Sequence, residues 1–137
     1  TPVSLDALQI TRIGTFLALT PVGDIAHLNQ MAKTAVEVLD PFRAPASTQE
    51  LARRRKSPLS PSQEHNLTTW GYPHVMDDFH FHITLTGSLK NAEATAAMIT
   101  PYFAPFLPSP FVIDHLTLAG EDQDGMFHSV AQLPFGG

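Results

Sequence analysis

The chain has 137 residues, of which 43% are hydrophobic, and a formal net charge of −5. This length suffices for one domain with a buried core, and the acidic balance disfavours long nucleic acid and anionic membranes as partners. The sequence contains no cysteine, which excludes disulfides and thiolate metal sites. Because no apolar run approaches the roughly 18 residues that a membrane span needs, we expect a cytoplasmic protein.

The N-terminal part of the sequence predicts a β-hairpin followed by a helix. Strands are expected at residues 3–10 and 15–20, with a turn at Gly14 between them. A helix over residues 25–39 follows, with one apolar stripe and with Asp24 as its N-cap.

Residues 41–74 are predicted to form an insert with two further helices. A short helix is expected near residues 48–56. The second helix begins after Ser60, where Gln63 is placed to complete a capping box, and it ends at Gly71.

An alternating stretch at residues 79–87, FHFHITLTG, is the strongest signal in the sequence. Successive side chains of a strand point to opposite faces, so strict alternation predicts a strand with one apolar and one polar face. The polar face carries His80, His82, Thr84 and Thr86. Burying such groups without partners would cost about 1–3 kcal/mol each, so this face is expected to meet water, a ligand or a hydrogen-bond network.

The C-terminal part of the sequence predicts one more helix and a second hairpin. Asn91 is expected to cap a helix through about Thr100, and Pro101 is expected to end or bend it. Strands follow at residues 111–119 and 126–134. The order β-β-α-insert-β-α-β-β predicts the α+β class within a single domain.

The two hairpins resemble each other in sequence. The stretches SLDALQI (residues 4–10) and VIDHLTL (residues 112–118) share one pattern, and each precedes a turn and an aromatic-led strand that closes on proline. The similarity favours internal duplication. Under that hypothesis residues 1–22 are the end of a first lobe, residues 23–137 form a complete second lobe, and a strand equivalent to FHFHITLTG is missing from the first.

His82 and Thr84 are the leading candidates for chemistry. An imidazole titrates near neutral pH and can give or take a proton, and a hydroxyl two residues away can donate to a phosphate oxygen. One alternative is an ordinary strand that faces solvent. Another is a metal site in which His80 and His82 form an H-x-H pair, which needs a further ligand such as His74 or His115.

The cationic side chains are concentrated in the insert. Five of the eight Lys and Arg residues lie between Arg43 and Lys56. Such a run is most often a solvated helix face, and the alternative is a patch that recruits phosphate and includes Arg43. The sequence contains no Walker loop, no nucleophile elbow and no dinucleotide fingerprint.

Several segments resemble one known family, the two-histidine (2H) phosphoesterases. Members of that family carry an H-x-T or H-x-S motif on a strand, once in each lobe of a duplicated α+β fold. Within the family, this sequence is similar to a branch of bacterial proteins associated with phosphonate-utilisation operons. The segments that carry the resemblance are DPFRAP (40–45), ELARRR (50–55), WGYP (70–73) and FHITLTG (81–87).

The resemblance implies a metal-independent phosphodiesterase that needs no cofactor. Its substrate would be a small cyclic or 2′-linked phosphoester, such as a cyclic ribose phosphate formed in phosphonate breakdown, or RNA 2′,3′-cyclic ends. His82 would be one of two catalytic histidines and Thr84 its phosphate-binding partner. Further substrate-binding residues would be His80, Thr86 and Arg43. The fold implied is a two-lobed antiparallel sheet with helices.

Residues 115–117, HLT, also spell H-x-T, but their counterpart in the first copy is ALQ (7–9), so we interpret this match as incidental. The sequence therefore departs from the family because it holds only one H-x-T of the expected pair. The partner histidine is expected upstream of Thr1, so residues 1–137 are expected to be inactive alone. They are also expected to self-associate through the sheet surface that the first lobe would cover. Two other functions stay open: a metal-dependent enzyme that uses His80 and His82, and a non-catalytic module that binds a phosphorylated metabolite.

Overall fold

The computed structural model describes residues 1–136 and shows an α+β protein with antiparallel strand pairs and four helices, which confirms the predicted class. The chain divides into two compact units. Residues 1–24 and the residues from Thr84 onward form the strand unit, and residues 25–83 form the helical unit.

The described residues form seven strands, where the sequence predicts five. The strands are β1 (Val3–Leu5), β2 (Ala7–Ile13), β3 (Phe16–Val22), β4 (Ile83–Thr84), β5 (Phe111–Ile113), β6 (His115–Glu121) and β7 (Phe127–Pro134). The helices are α1 (Ala26–Leu39), α2 (Thr48–Arg54), α3 (Pro61–Trp70) and α4 (Ala92–Phe103). None of these helices is both long enough and apolar enough to cross a bilayer.

Aspartate interrupts the first predicted strand of each hairpin. The strand expected at residues 3–10 divides at Asp6 into β1 and β2, and the strand expected at residues 111–119 divides at Asp114 into β5 and β6, so both predictions of a continuous strand were wrong. After each aspartate the chain changes its partner strand, because β1 pairs with β5 whereas β2 pairs with β3 and β6 with β7. The carbonyl of Asp6 accepts a hydrogen bond from the Ser109 hydroxyl at 3.0 Å. Alternation within one strand does not reveal such a change of partner.

The two interrupted segments meet at corresponding positions. β1 and β5 pair antiparallel, with Ser4 opposite Val112 at the centre of the pair. Each of these residues stands two positions before the interrupting aspartate, Asp6 or Asp114. An antiparallel hairpin follows each segment, β2–β3 in one case and β6–β7 in the other. The strand order therefore agrees with the repeat in the sequence, whose origin by duplication stays a prediction.

Helix α4 packs against β2 and β3 in the strand unit. Leu5 and Leu17 in this unit retain only 2% and 0% of their exposed surface. Asn91 caps α4 as predicted, because its carboxamide oxygen accepts a first-turn amide at 3.1 Å. The helix does not end at Pro101, one of the two outcomes expected there, but continues to Phe103. Pro101 has no N–H to donate to the carbonyl four residues before it, so the helix passes this position with one backbone hydrogen bond fewer.

The helices of the helical unit show where capping signals are reliable. At the start of α3, Ser60 and Gln63 form the predicted capping box, with reciprocal hydrogen bonds of 3.1 and 3.0 Å. Gly71 ends that helix in the left-handed conformation, with φ of 76°. Asp24 is not the N-cap of α1 as predicted, because the helix begins after Ile25, where no side chain caps it.

One polar side chain is buried in the helical unit. Asn66 is 4% exposed, and its Nδ2 donates to the Val75 carbonyl at 3.0 Å and to Asp78 Oδ2 at 2.9 Å. Ser62 donates to the same carboxylate oxygen at 2.5 Å. These bonds tie the segment that leads to His80 onto α3.

We expect Asn66→Ala to lower the free energy of unfolding by about 1–3 kcal/mol, because the Val75 carbonyl and the Asp78 carboxylate lose the buried amide that ties them to α3. Chemical denaturation measures this difference. Asn29→Ala, on an exposed position of α1, is the matched control and should stay within about 0.5 kcal/mol of wild type. An Asn66 variant as stable as that control would show that the buried bonds contribute little.

Candidate functional site

The segment with the predicted histidine motif forms a shorter strand than its sequence indicates. Alternation predicts a strand over residues 79–87, whereas strand structure is limited to β4, which lies beside β3 in the sheet order β2-β3-β4. Beyond β4, the amides of Leu85 and Thr86 donate to the Leu17 carbonyl at 2.9 and 3.3 Å. The predicted length was wrong because a period of two indicates which way side chains point, not how many residues find a partner strand.

The predicted difference in burial between the apolar and the polar face is found only at the N-terminal end of this segment. The two phenylalanines are half-buried, and the histidines that alternate with them are exposed. Ile83 and Leu85 were expected to be buried on the apolar face, but they retain 40% and 44% of their exposed surface. The apolar face is therefore covered at its aromatic end and open at its aliphatic end.

His82 has a defined ring orientation. Its Nδ1 lies 2.9 Å from the backbone carbonyl oxygen of His80. A carbonyl oxygen only accepts hydrogen bonds, so this contact requires a proton on Nδ1. In the neutral ring, Nε2 then carries the basic lone pair. Nε2 is thus the nitrogen that can take a proton from water or from a substrate hydroxyl.

The two threonines of the motif differ in how their hydroxyls are used. Thr84 lies in β4 with an exposed side chain. Thr86 is half-buried, and its Oγ1 accepts the Leu17 amide at 3.0 Å and donates to the Gly87 carbonyl at 2.8 Å. A hydroxyl has a single hydrogen to give, so Thr86 can donate to a phosphate only after it releases Gly87. Phosphate binding by either residue stays a prediction, and the geometry favours Thr84.

Arg43, predicted to bind substrate, lies in a cluster within the insert. Its Nε and Nη2 contact Asp40 Oδ1 at 2.9 and 2.8 Å, and Nη2 also donates to the Thr69 carbonyl at 3.4 Å. A Cβ atom at Gly71 would stand 2.6 Å from Arg43 Nη1, so glycine at that position lets the guanidinium approach. Arg43 is therefore already engaged in an ion pair with Asp40 of the same unit.

Two surface cavities of about 330 Å³ each include Arg43 in their walls. One is lined mainly by apolar side chains of α1, by Trp70 at the end of α3 and by Tyr72 just after it. Neither cavity is lined by His80 or His82. These cavities do not bring Arg43 together with the histidine motif, and its role in substrate binding stays a prediction.

The insert contains contacts that the sequence did not reveal. The guanidinium of Arg54 lies over the ring of Tyr72, 4.7 Å from its centroid, in a cation–π contact. Arg55 donates from Nε to Glu64 at 3.0 Å, and this hydrogen bond lowers the pKa of the Glu64 carboxyl. Side chains of the basic run are thus partly paired within the protein. Of the segments that carry the family resemblance, WGYP contacts ELARRR through Tyr72 and Arg54, and it lies against DPFRAP where Arg43 approaches Gly71.

Two histidines outside the motif pair with aspartates around the second hairpin. Nδ1 of His115 lies 2.6 Å from Asp114 Oδ1, and Nε2 of His128 lies 2.6 Å from Asp122 Oδ2. The hydrogen bond with His115 lowers the pKa of Asp114. The pKa of Asp122 is lowered first by the hydrogen bond from the Met126 amide and then by the one from His128.

The lowered pKa of Asp122 predicts that the turn between β6 and β7 is sensitive to acid. A carboxyl whose pKa is lower in the folded than in the unfolded state stabilises the fold above its ordinary titration range. That contribution is lost as the pH falls through the folded-state value. The NMR shift of the Met126 amide should therefore titrate with a midpoint below the ordinary value for aspartate, and Asp122→Asn should abolish the transition. A midpoint at or above the ordinary value would contradict this prediction.

A metal site is not assembled in the part of the chain that the structure describes. Within residues 1–136, no group of three or more His, Asp or Glu side chains is placed to hold a metal ion. The metal-dependent alternative, in which His80 and His82 are two of the ligands, would need a third ligand from elsewhere.

Comparisons with known proteins match nearly the whole chain. Residues 1–128 match the family described as "Protein of unknown function (DUF1045)". A "Ribose 1,5-bisphosphate phosphokinase PhnN" from Janthinobacterium sp. (strain Marseille) is 33% identical over 142 residues, which cover 98% of this chain and 31% of that protein. A protein of the same name from Laribacter hongkongensis (strain HLHK9) is 28% identical over 120 residues, which cover 86% of this chain and 27% of that protein.

The chain therefore spans less than a third of the length of these curated relatives. No solved structure matches the chain.

Proposed function

This chain belongs to the DUF1045 family, and from its histidine motif we propose that it forms part of a metal-independent phosphodiesterase that acts on a small cyclic or 2′-linked phosphoester. The observation that carries the proposal is the geometry of His82. The hydrogen bond from Nδ1 to the His80 carbonyl holds the ring and leaves Nε2 as the basic nitrogen of an exposed side chain. An acid–base catalyst needs this combination of fixed orientation and access.

In the proposed reaction, water attacks the phosphorus of a cyclic phosphodiester. One imidazole takes the proton from water as the new P–O bond forms, and a second imidazole protonates the sugar oxygen as its P–O bond breaks. The product is a phosphomonoester with a free hydroxyl. His82 fills one of the two roles, and the Thr84 hydroxyl donates to a non-bridging phosphate oxygen. Each acid or base role is worth about 10²–10⁴-fold in rate.

The second imidazole is proposed to come from a strand equivalent to β4 in another lobe. The support for this is the repeated order of strands around Asp6 and Asp114, which makes a duplicated two-lobed 2H fold the arrangement we propose. Because residues 1–137 carry one H-x-T of that pair, we expect them to lack turnover by themselves.

The names of the relatives suggest a ribose phosphate as the substrate class. Both relatives are named for phosphorylation of ribose 1,5-bisphosphate, and this chain matches less than a third of each. The chain has no Walker loop, so we assign the named kinase activity to other parts of those proteins. A cyclic ribose phosphate, as in phosphonate metabolism, is then the first substrate to test for this part, and RNA 2′,3′-cyclic ends are the second.

The proposal is tested by following hydrolysis of a cyclic ribose phosphate and of 2′,3′-cyclic nucleotides by the full-length gene product in excess EDTA. We expect turnover that EDTA does not reduce. Turnover that EDTA abolishes and zinc restores would replace the proposal with the metal-dependent alternative. Saturable binding of the same compounds without turnover would replace it with a non-catalytic binding module.

A further inference from the structure

Helix α4 is apolar around most of its circumference. Its twelve residues, AEATAAMITPYF, include one charged side chain, that of Glu93, and two threonines. A helix on the surface of a protein normally keeps polar residues on the face away from the core, whereas a helix that is apolar all round is covered on every side. The composition of α4 therefore indicates a partner for more than one of its faces.

The inner face of α4 is covered within the chain, where the helix packs against β2 and β3. The residues at positions i, i+3, i+4 and i+7 are Ala92, Thr95, Ala96 and Ile99. Ala92 is buried and the other three are half-buried. Residues with this spacing share one face of a helix, so these four account for the packing of α4 in the strand unit.

The outer face of α4 is also apolar, and it is exposed. Ala94, Met98 and Tyr102 follow one another at intervals of four residues, so they lie along one side of the helix. Met98 and Tyr102 retain 63% and 73% of their exposed surface. Ala97 and Pro101 are exposed beside them. These five residues form an apolar stripe, called the α4 stripe below, where a surface helix would normally carry charges.

The exposed area of the α4 stripe approaches that of a protein interface. Phe106 stands four residues beyond Tyr102, in the helical turn that follows α4, and retains 82% of its exposed surface. Since an aromatic side chain buries about 150–250 Å², the two aromatic residues and the smaller Met98 expose on the order of 400 Å², and the small residues between them raise this to roughly 500 Å². Two copies would then bury on the order of 1,000 Å², the lower limit for a specific interface.

The order of side chains along the α4 stripe is complementary to an antiparallel copy of itself. Side-chain size increases from Ala94 through Met98 to Tyr102. When two α4 helices cross antiparallel about a twofold axis at Met98, Ala94 of each copy lies opposite Tyr102 of the other, so large side chains fill the space beside small ones. Glu93 lies opposite Phe103, and the two Glu93 residues are about 15 Å apart along the helix axis. The pairing therefore brings no like charges together.

We propose that the α4 stripe is the contact surface of a reversible homodimer in which two copies of α4 pack antiparallel at Met98. This surface is different from the sheet surface through which the sequence predicts self-association. An interface near the lower size limit forms a dimer with a Kd in the micromolar range. The proposal concerns association alone and does not depend on catalysis by His82.

A membrane surface is a poorer occupant of the α4 stripe. Helices that lie on membranes carry Lys and Arg beside their apolar face and often tryptophan within it. None of these three residue types occurs in α4. A second copy needs no cationic side chains, because the surface it presents is the same apolar stripe.

Cysteine cross-linking tests the proposed pairing in the 137-residue chain, which has no native cysteine. Met98→Cys places two thiols at the twofold axis, where helices about 8–10 Å apart bring their Cα atoms within the reach of a disulfide. Glu93→Cys is the matched control on the same helix, because its thiols are too far apart to bond in the dimer. Under mild oxidation, Met98→Cys should form the cross-linked dimer at least about tenfold faster than the control.

Sedimentation velocity tests the dimer without cross-linking. The wild-type chain should change from monomer to dimer between about 1 and 300 µM. Met98→Lys places two ammonium groups at the axis and should stay monomeric, and its exposed position should preserve folding. Leu118→Lys, on a side chain of the β6–β7 hairpin that is 57% exposed, should dimerise like wild type.

Three outcomes would overturn the proposal. The first is a wild-type chain that stays monomeric over the whole concentration range, and binding of that monomer to lipid vesicles would identify a membrane as the occupant instead. The second is a dimer that Leu118→Lys abolishes and Met98→Lys preserves, which would place the contact on the sheet. The third is cross-linking of Met98→Cys no faster than that of Glu93→Cys.

Discussion

Replacing His82 with alanine is expected to lower EDTA-resistant turnover of a cyclic ribose phosphate by about 10²–10⁴-fold. The variant loses the imidazole whose Nε2 is the proposed acid–base nitrogen. Its side chain is exposed, so the substitution should leave the fold intact. The loss should appear mainly in kcat, because proton transfer develops in the transition state. Steady-state kinetics on the full-length gene product measure both constants.

Two other histidines serve as controls for this measurement. His80→Ala keeps the carbonyl that orients His82, so we expect a smaller effect that appears mainly in KM. His128→Ala removes an exposed imidazole that pairs with Asp122 in the second hairpin, and it should retain wild-type kinetics. Wild-type kcat in His82→Ala would remove this residue from the mechanism. A loss of similar size in all three variants would indicate a general effect of lost imidazoles.

Features that depend on residues close in sequence could be predicted. The capping box at Ser60 and Gln63, the left-handed Gly71 and the Asn91 cap all involve groups within three or four positions of one another. Their energies are set by backbone amides that any helix end leaves unpaired. The repeat around Asp6 and Asp114 was visible for the same reason, since it is a pattern of neighbouring residues.

Features that depend on distant partners could not be predicted. The extent of β4 depends on where this segment pairs with β3, and no local pattern encodes that pairing. The close approach of Arg43 to Gly71 likewise joins residues from opposite ends of the insert. At the candidate site, the alternation of apolar and polar residues correctly predicted that His80 and His82 lie on an exposed face. The protonated nitrogen follows only from the carbonyl that Nδ1 contacts.

Replacing Leu8 with alanine is expected to lower the free energy of unfolding by about 2–5 kcal/mol, because it opens a cavity in a packed core. Leu116→Ala makes the same change at the corresponding position of the other hairpin, and it should cost less than about 1 kcal/mol. The two side chains are 5% and 41% exposed. Chemical denaturation of the 137-residue chain gives both values against one wild-type reference.

The difference between these two losses in unfolding free energy reflects how much less deeply Leu116 is buried than Leu8. The cost of Leu116→Ala should rise toward that of Leu8→Ala only under conditions that bury Leu116, such as self-association of the chain through this hairpin at high concentration. The cost of Leu8→Ala should stay constant, because its side chain is already buried in the free chain. Equal costs in the free chain would mean that the second hairpin is already buried. Light scattering at the same concentration would then show whether self-association buries it.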